Sequence, residues 1–242
     1  MALTDYFGYD GKGRAGRRTV GLRPPFGGKN RLMFITRRTP AYTECDQVRM
    51  AIRGGCSWIQ LRVKEGLCVD TVRKCAAICA EECGRIVDLC VNDDLEAAVT
   101  GGATACHLGK KDMPLDIAWE VLGERLAPDV PFYIGATANT FEDIRQAVDR
   151  GASYIGLGPY RFTDTKKNLS PLLGLEGYRT IIAQCREAGM DIPIFAIGGI
   201  TREDVGPLME TGITGIAVSG AIVNAPDPAE ETRRFIAEIN TY

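Results

Sequence analysis

A chain of 242 residues, 45% hydrophobic and 25% charged, is long enough for one large core and too ordinary in composition for a disordered or fibrous chain. Its 29 basic and 31 acidic side chains leave a net charge of −2, too little field to draw a polyanion, which argues against nucleic acid as the main partner. No run approaches the roughly 18 apolar residues that span a bilayer, so the expectation is a cytoplasmic protein that does not act at a membrane.

Residues 1–30 interleave Gly8, Gly11, Gly13, Gly16, Gly21, Gly27 and Gly28 with Lys12, Arg14, Arg17, Arg18 and Arg23. Such a segment buries too little apolar surface to offset its ordering entropy, and a flexible extension is expected. A targeting peptide is the alternative, for which Asp5 and Asp10 are atypical. From Arg31 the texture changes to short apolar runs at Leu32–Thr36, Trp58–Val63, Ile86–Val91, Thr104–Leu108, Phe132–Ala136, Tyr154–Leu157, Ile194–Ile197 and Gly215–Ser219, each followed by a segment at helical spacing. Eight strand-then-helix units in about 210 residues predict a single α/β domain over residues 31–242, a (β/α)8 TIM barrel. A doubly wound sheet is the competing architecture, and the absence of a GxGxxG turn after the first strand argues against its dinucleotide-binding form.

Nine cysteines are an odd number in a long chain with no compact secreted framework, which favours reduced thiols. Cys75, Cys79 and Cys83 share one helical stripe, a spacing wider than the CxxC pairs of zinc sites, and read as buried apolar residues before they read as ligands. His107 is the only histidine, so one chain cannot supply a two-histidine metal site, and its apolar neighbourhood favours a satisfied structural role over a catalytic one.

In a barrel the chemistry lies where strands end and the βα loops converge. The second strand ends in Gln60-Leu61-Arg62-Val63-Lys64, where alternation puts Gln60, Arg62 and Lys64 on one face. Unpaired cations on an inward face are too costly as decoration, and an Arg with a Lys suits a phosphate or diphosphate. Asp93 after the third strand and Asp112 after the fourth can converge on a hard cation, of which Mg2+ is typical; helix capping is the competing reading for either. The loop after the sixth strand runs long and polar from Gly158 to about Leu173, with Thr163, Thr165 and Lys166 as anion donors. Gly198-Gly199 and Ser219-Gly220 close the seventh and eighth strands, where barrels commonly bind phosphate through backbone N–H groups.

Taken in order, Gln60-Leu61-Arg62-Val63-Lys64, Val91-Asn92-Asp93, His107-Leu108-Gly109 with Asp112, Gly156-Leu157-Gly158-Pro159, Thr163-Asp164-Thr165-Lys166 and Ala196-Ile197-Gly198-Gly199-Ile200 resemble the thiamine phosphate synthase family of (β/α)8 barrels over roughly Leu32 to Phe235. The resemblance implies condensation of 4-amino-2-methyl-5-hydroxymethylpyrimidine diphosphate with a thiazole phosphate, giving thiamine phosphate and diphosphate. It implies that Gln60, Arg62, Lys64 and Asn92 bind the pyrimidine diphosphate, that Asp93 and Asp112 bind Mg2+, and that Lys166 also grips the diphosphate. It further implies that Thr163, Thr165, Gly199, Ser219 and Gly220 hold the thiazole phosphate. Mg2+, Arg62, Lys64 and Lys166 would then neutralise a departing diphosphate, and a pyrimidine cation would be captured by the thiazole nitrogen with no protein nucleophile.

Two strand ends depart from the family pattern. Thr137 stands where a serine is usual after the fifth strand, and Ser219-Gly220 stands where an aliphatic residue and then a serine are usual. Asp164 adds a negative charge beside a phosphate site. A thiazole tautomerase would need a histidine at the position of Asn139. A non-catalytic barrel that binds thiazole phosphate or thiamine phosphate would have no need of both Asp93 and Asp112, and a purely structural role would leave the inward cations without purpose.

Overall fold

The computed structural model describes residues 31–64, 66–82, 86–127, 129–162 and 171–242. The expectation for residues 1–30 lies outside them, as do those for Cys83, Thr163, Asp164, Thr165 and Lys166.

Eight parallel strands close into a barrel in sequence order: β1 (Leu32–Ile35), β2 (Trp58–Leu61), β3 (Asp88–Asn92), β4 (Ala105–Leu108), β5 (Tyr133–Ala138), β6 (Tyr154–Leu157), β7 (Ile194–Ile197) and β8 (Gly215–Val218), with β8 paired back to β1. The crossovers carry α1 (Glu44–Arg53), α2 (Val69–Ala80), α3 (Leu95–Gly101), α4 (Leu115–Arg125), α5 (Phe141–Asp149), α6 (Gly174–Glu187), a 3₁₀ turn at Arg202–Asp204 leading into α7 (Val205–Glu210), and α8 (Gly220–Val223), followed by α9 (Pro228–Ile239). Local chemistry starts several of these helices. Thr43 with Asp46 and Thr140 with Asp143 form capping boxes on α1 and α5, and Asp227 caps α9 just before Pro228.

Strand alternation divides the apolar residues between two cores. Between sheet and helices lies a continuous layer that includes Leu32, Phe34, Ile59, Leu61, Leu89, Val91, Cys106 and Ile155. Inside the barrel, Met33, Ile35, Trp58, Cys90, Ala105, Tyr154, Phe195 and Ala217 fill the lumen. Tyr154 is its centre, with Trp58 and Phe195 edge-on at 5.5 and 5.9 Å. Gly135 on the neighbouring strand makes room for that ring, since a Cβ there would lie 2.1 Å from Tyr154 Cζ.

At the mouth, two strands end two residues away from the sequence expectation. β2 stops at Leu61 because the Arg62 N–H leaves the ladder and donates to Thr36 Oγ1 at 2.9 Å. β5 instead runs two residues further than expected, and Thr137 stays in register with Gly156 of β6. The cysteine stripe packs inward: Cys75 and Cys79 are buried on α2, and burial pushes the Cys79 thiol up to about 12, which disfavours the thiolate that a metal would need. The eight described cysteines are free thiols.

Candidate active site

The alternation that fills the lumen continues upward and presents a ring of polar groups at the C-terminal mouth. On β2, Trp58 and Gln60 point inward and Arg62 follows them. Gln60 is 3% exposed, with Nε2 at 3.6 Å from Met33 Sδ. Arg62 is half-buried and Lys64 exposed, so the predicted face rises from core to solvent in three steps. Burial lowers the Arg62 pKa from its ordinary value, with Asp93 opposing and Arg37 reinforcing that shift. Arg37 was not singled out from sequence, although its parity with Met33 and Ile35 of β1 was the available signal.

Asn92 ends β3 half-buried, and the chain then turns sharply at Asp93, whose φ of 69° is the only positive value among the described non-glycine residues. The Asp93 N–H donates to the His107 carbonyl at 2.8 Å, which carries the ladder one residue past the strand. The helix cap is Asp94, whose Oδ1 accepts from Ala97 N at 2.8 Å. Asp112 does not cap α4 either: Pro114 holds that position, and Asp112 Oδ2 accepts from Gly109 N at 2.6 Å. The capping reading therefore fails for both predicted metal ligands. Burial, Cys90, and then the carboxylates of Asp93, Asp94 and Asp112 all push the thiol of Cys106 on β4 upward, so these acids gather around one strand end.

Hard carboxylate oxygens are the donors Mg2+ takes, and it uses one or two of them with phosphates and waters. Among the described residues no group of three His, Cys, Asp or Glu side chains is gathered for a metal. Asp93 and Asp112 thus fit an ion shared with a phosphorylated substrate and do not form a closed protein cage.

Beside Asp112 a cleft of about 230 Å3 runs between the β4 loop and α5, and Thr137 lines it. Thr137 Oγ1 lies 3.0 Å from His107 Nε2, and the other ring nitrogen lies 3.1 Å from the Tyr154 hydroxyl. His107 is 8% exposed; it is the satisfied structural histidine expected, but its neighbourhood is polar where an apolar one was expected. Asn139 is also engaged, its amide donating to the Gly158 carbonyl.

On the opposite rim, Gly198 and Gly199 have φ of 105° and 69°, conformations that side chains resist. A Cβ on Gly198 would lie 2.8 Å from Pro159 Cβ and one on Gly199 2.6 Å from Arg161 Cγ, so the β6 and β7 loops interlock through the glycines. Tyr160 and Arg161 N–H groups donate to the Ile197 and Gly198 carbonyls, and Leu173 and Gly174 return to the carbonyls of Pro159 and Tyr160. Both ends of the long loop are therefore anchored at one point. Ser219 and Gly220 lie half-buried after β8.

The thiamine monophosphate synthase family model matches residues 32–222. A thiamine-phosphate synthase of Bacteroides thetaiotaomicron is 50% identical over 208 residues, covering 85% of this chain and 95% of that protein. One of Bacteroides fragilis is 50% identical over 206 residues, covering 85% and 98%. The solved thiamine phosphate pyrophosphorylase from Pyrococcus furiosus superposes with a TM-score of 0.74 at 30% identity, covering 88% of this chain and 96% of that one. The motif order, the closed barrel and these likenesses agree: the chain belongs to the thiamine monophosphate synthase family and is a transferase that forms thiamine phosphate.

Proposed function

We propose that this barrel joins a hydroxymethylpyrimidine diphosphate to a thiazole phosphate, and that Mg2+ assists the release of diphosphate. The observation that carries the reading is the meeting of Arg62 with Asp93 at the mouth: a half-buried guanidinium beside an exposed carboxylate on a strained turn. A cation and a metal-type acid side by side suit one polyphosphate better than they suit each other.

Gln60, Arg62, Lys64, Asn92 and Thr137 bind the pyrimidine diphosphate in this reading. Arg62 and Lys64 neutralise the leaving group, while the buried amide of Gln60 and the hydroxyl of Thr137 orient the pyrimidine. Asp93 and Asp112 are the residues that would hold Mg2+, which when bound supplies further charge neutralisation to the diphosphate. The C–O bond to diphosphate breaks with its electron pair, and the thiazole nitrogen then supplies the pair for the new C–N bond, so the protein donates no nucleophile. The backbone at Gly199 and the Ser219-Gly220 turn hold the thiazole phosphate. Thr163, Thr165 and Lys166, outside the described residues, are assigned to the phosphate groups on the resemblance alone. Residues 31–242 form the catalytic domain, and its location is cytoplasmic. Among the described residues no helix is long and apolar enough to cross a membrane.

The test is turnover of the two substrates with Mg2+, measured as thiamine phosphate and diphosphate, with EDTA and Asp93→Ala controls. Equal formation of both products, lost in both controls, is expected. Turnover that persists in EDTA and in Asp93→Ala would overturn the metal assignment.

A further inference from the structure

Arg37, at the mouth, is a cation that neither the motifs nor the roles above employ. Thr36, the last residue in the β1 ladder, donates its N–H to the Gln60 carbonyl at 2.9 Å, and its hydroxyl accepts from Arg62 N at the same distance. The next residue, Arg37, continues the series Met33, Ile35 that faces the lumen. On its other side, β1 pairs with β8 in the register Phe34↔Val218, which sets Arg37 next to the Ser219-Gly220 turn. A Cβ built on Gly220 would meet Arg37 Nη1 at 3.2 Å and Asn224 Nδ2 at 3.7 Å. Two nitrogen donors therefore converge over a residue that has no side chain to fill the space.

The backbone of Arg37 is held firmly. Buried Gln47 accepts from its N–H at 3.0 Å and donates to its carbonyl at 2.7 Å. The side chain is not neutralised in the same way: among the described residues Arg37 forms no ion pair with a carboxylate, whereas its neighbour Arg38 pairs with Glu44 at 3.2 Å. Arg37 is also close enough to Arg62 for each charge to be felt by the other. Two guanidiniums on one rim repel, and a tightly held backbone beneath an unneutralised cation calls for an anion between or beside them.

We propose that Arg37 is a phosphate-binding residue of the thiazole half of the site, taking the phosphate monoester over Gly220 together with the amide of Asn224. This rests on the proposed placement of the thiazole phosphate at the Ser219-Gly220 turn. The absence of a side chain at 220 becomes part of the design, because it leaves the space over the β8 turn open to the guanidinium that reaches across from β1. Arg62, one strand further round, serves the diphosphate, so the two cations divide two anions between them.

The test is isothermal titration of the full chain with thiazole phosphate and with the unphosphorylated thiazole alcohol, alongside KM for both substrates, in wild type, Arg37→Met and Arg37→Lys. Loss of one charged hydrogen bond predicts roughly tenfold to hundredfold weaker thiazole phosphate binding in Arg37→Met. Affinity for the alcohol and KM for the pyrimidine diphosphate should stay within about twofold, and Arg37→Lys should recover part of the loss. Gly220→Ala, which pushes a methyl toward the guanidinium, should show the same selectivity with Arg37 intact. Unchanged thiazole phosphate affinity in a folded Arg37→Met protein would overturn the proposal, as would a rise in KM confined to the pyrimidine diphosphate. A wild type that binds the diphosphate substrate but not thiazole phosphate would overturn the placement of the thiazole site and this proposal with it.

Discussion

His107 Nε2 and Thr137 Oγ1 lie 3.0 Å apart, across the register of two adjacent strand ends. The other ring nitrogen meets the Tyr154 hydroxyl at 3.1 Å, which in turn lies 3.5 Å from Cys90 Sγ. Burial holds the Tyr154 phenol well above its usual range, so it stays a neutral O–H group that can serve the ring. The single histidine thus ties a residue of the candidate site to the centre of the lumen.

Thr137→Val keeps the shape and deletes the hydroxyl, leaving a buried ring nitrogen without its partner at a cost of about 1–3 kcal/mol. Thermal unfolding should show that loss, and turnover should fall by roughly tenfold as the same bond stops orienting the substrate contact. Thr137→Ser retains the hydroxyl and should remain close to wild type in both measurements. If the valine variant matched wild type in stability and turnover, the bond would be incidental.

Gly135 is tested by the ring it accommodates. Gly135→Ala drives a methyl into Tyr154, with the phenolic oxygen 2.4 Å from the new Cβ as well. Overpacking of that kind costs about 1–3 kcal/mol or more, and it should appear as a lowered Tm. Pairing it with Tyr154→Leu should give a double variant less destabilised than the sum of the two changes, because the clash is shared. Additive losses would place the strain elsewhere.

Much of this arrangement was legible from alternation and spacing. Eight strands were countable because each apolar run is short and a helical segment separates it from the next, and the inward parity of Gln60 and Arg62 followed from period two. What spacing cannot separate is neighbours with different tasks. Asp93 and Asp94 are both acids at a strand end, yet backbone rotation at Asp93 makes Asp94 the cap and leaves Asp93 exposed. Contacts between distant segments were equally hidden. Arg161 and Asp204 are 43 residues apart, and Arg37 reaches Gly220 only because the barrel closes β8 onto β1. The polar surroundings of His107 were missed for the same reason, since Tyr154 comes from a strand 47 residues later.

Asp93 allows stability and activity to be separated. A left-handed aspartate costs about 1 kcal/mol, which glycine does not incur. Asp93→Gly should therefore unfold at the wild-type temperature or above it while losing Mg2+-dependent turnover. Asp93→Asn, whose residue type also tolerates this conformation, should keep its fold and lose most activity because a carboxylate oxygen is replaced by an amide. Calorimetry with product assays at several Mg2+ concentrations checks both. Full activity in Asp93→Asn would show that the charge at this position is not required.

The Arg161–Asp204 pair joins the entry of the long loop to the β7 loop. Arg161 Nη1 and Nη2 each donate to an Asp204 carboxylate oxygen at 2.6 Å, and Nη1 also lies 3.2 Å from the Gly199 carbonyl. The guanidinium sits 4.8 Å from the Tyr160 ring centroid. Burial works against ionisation of Asp204, yet the Thr201 amide and the Arg161 guanidinium hold its pKa below the ordinary value. A carboxyl depressed in the folded state stabilises above its unfolded pKa, and the contribution is lost as pH falls through the folded value. The Tm gap between wild type and Asp204→Asn should therefore be full near pH ~7 and close progressively below pH ~4. Because Arg161 is 47% exposed, the gap should be modest. The larger effect should fall on function: Arg161→Lys, which cannot make the paired contact, should raise KM for thiazole phosphate several-fold with kcat nearly unchanged, because the two loops proposed to frame that phosphate would no longer be held together. A gap that stayed constant down to pH ~3 would show that ionisation of Asp204 contributes nothing to it.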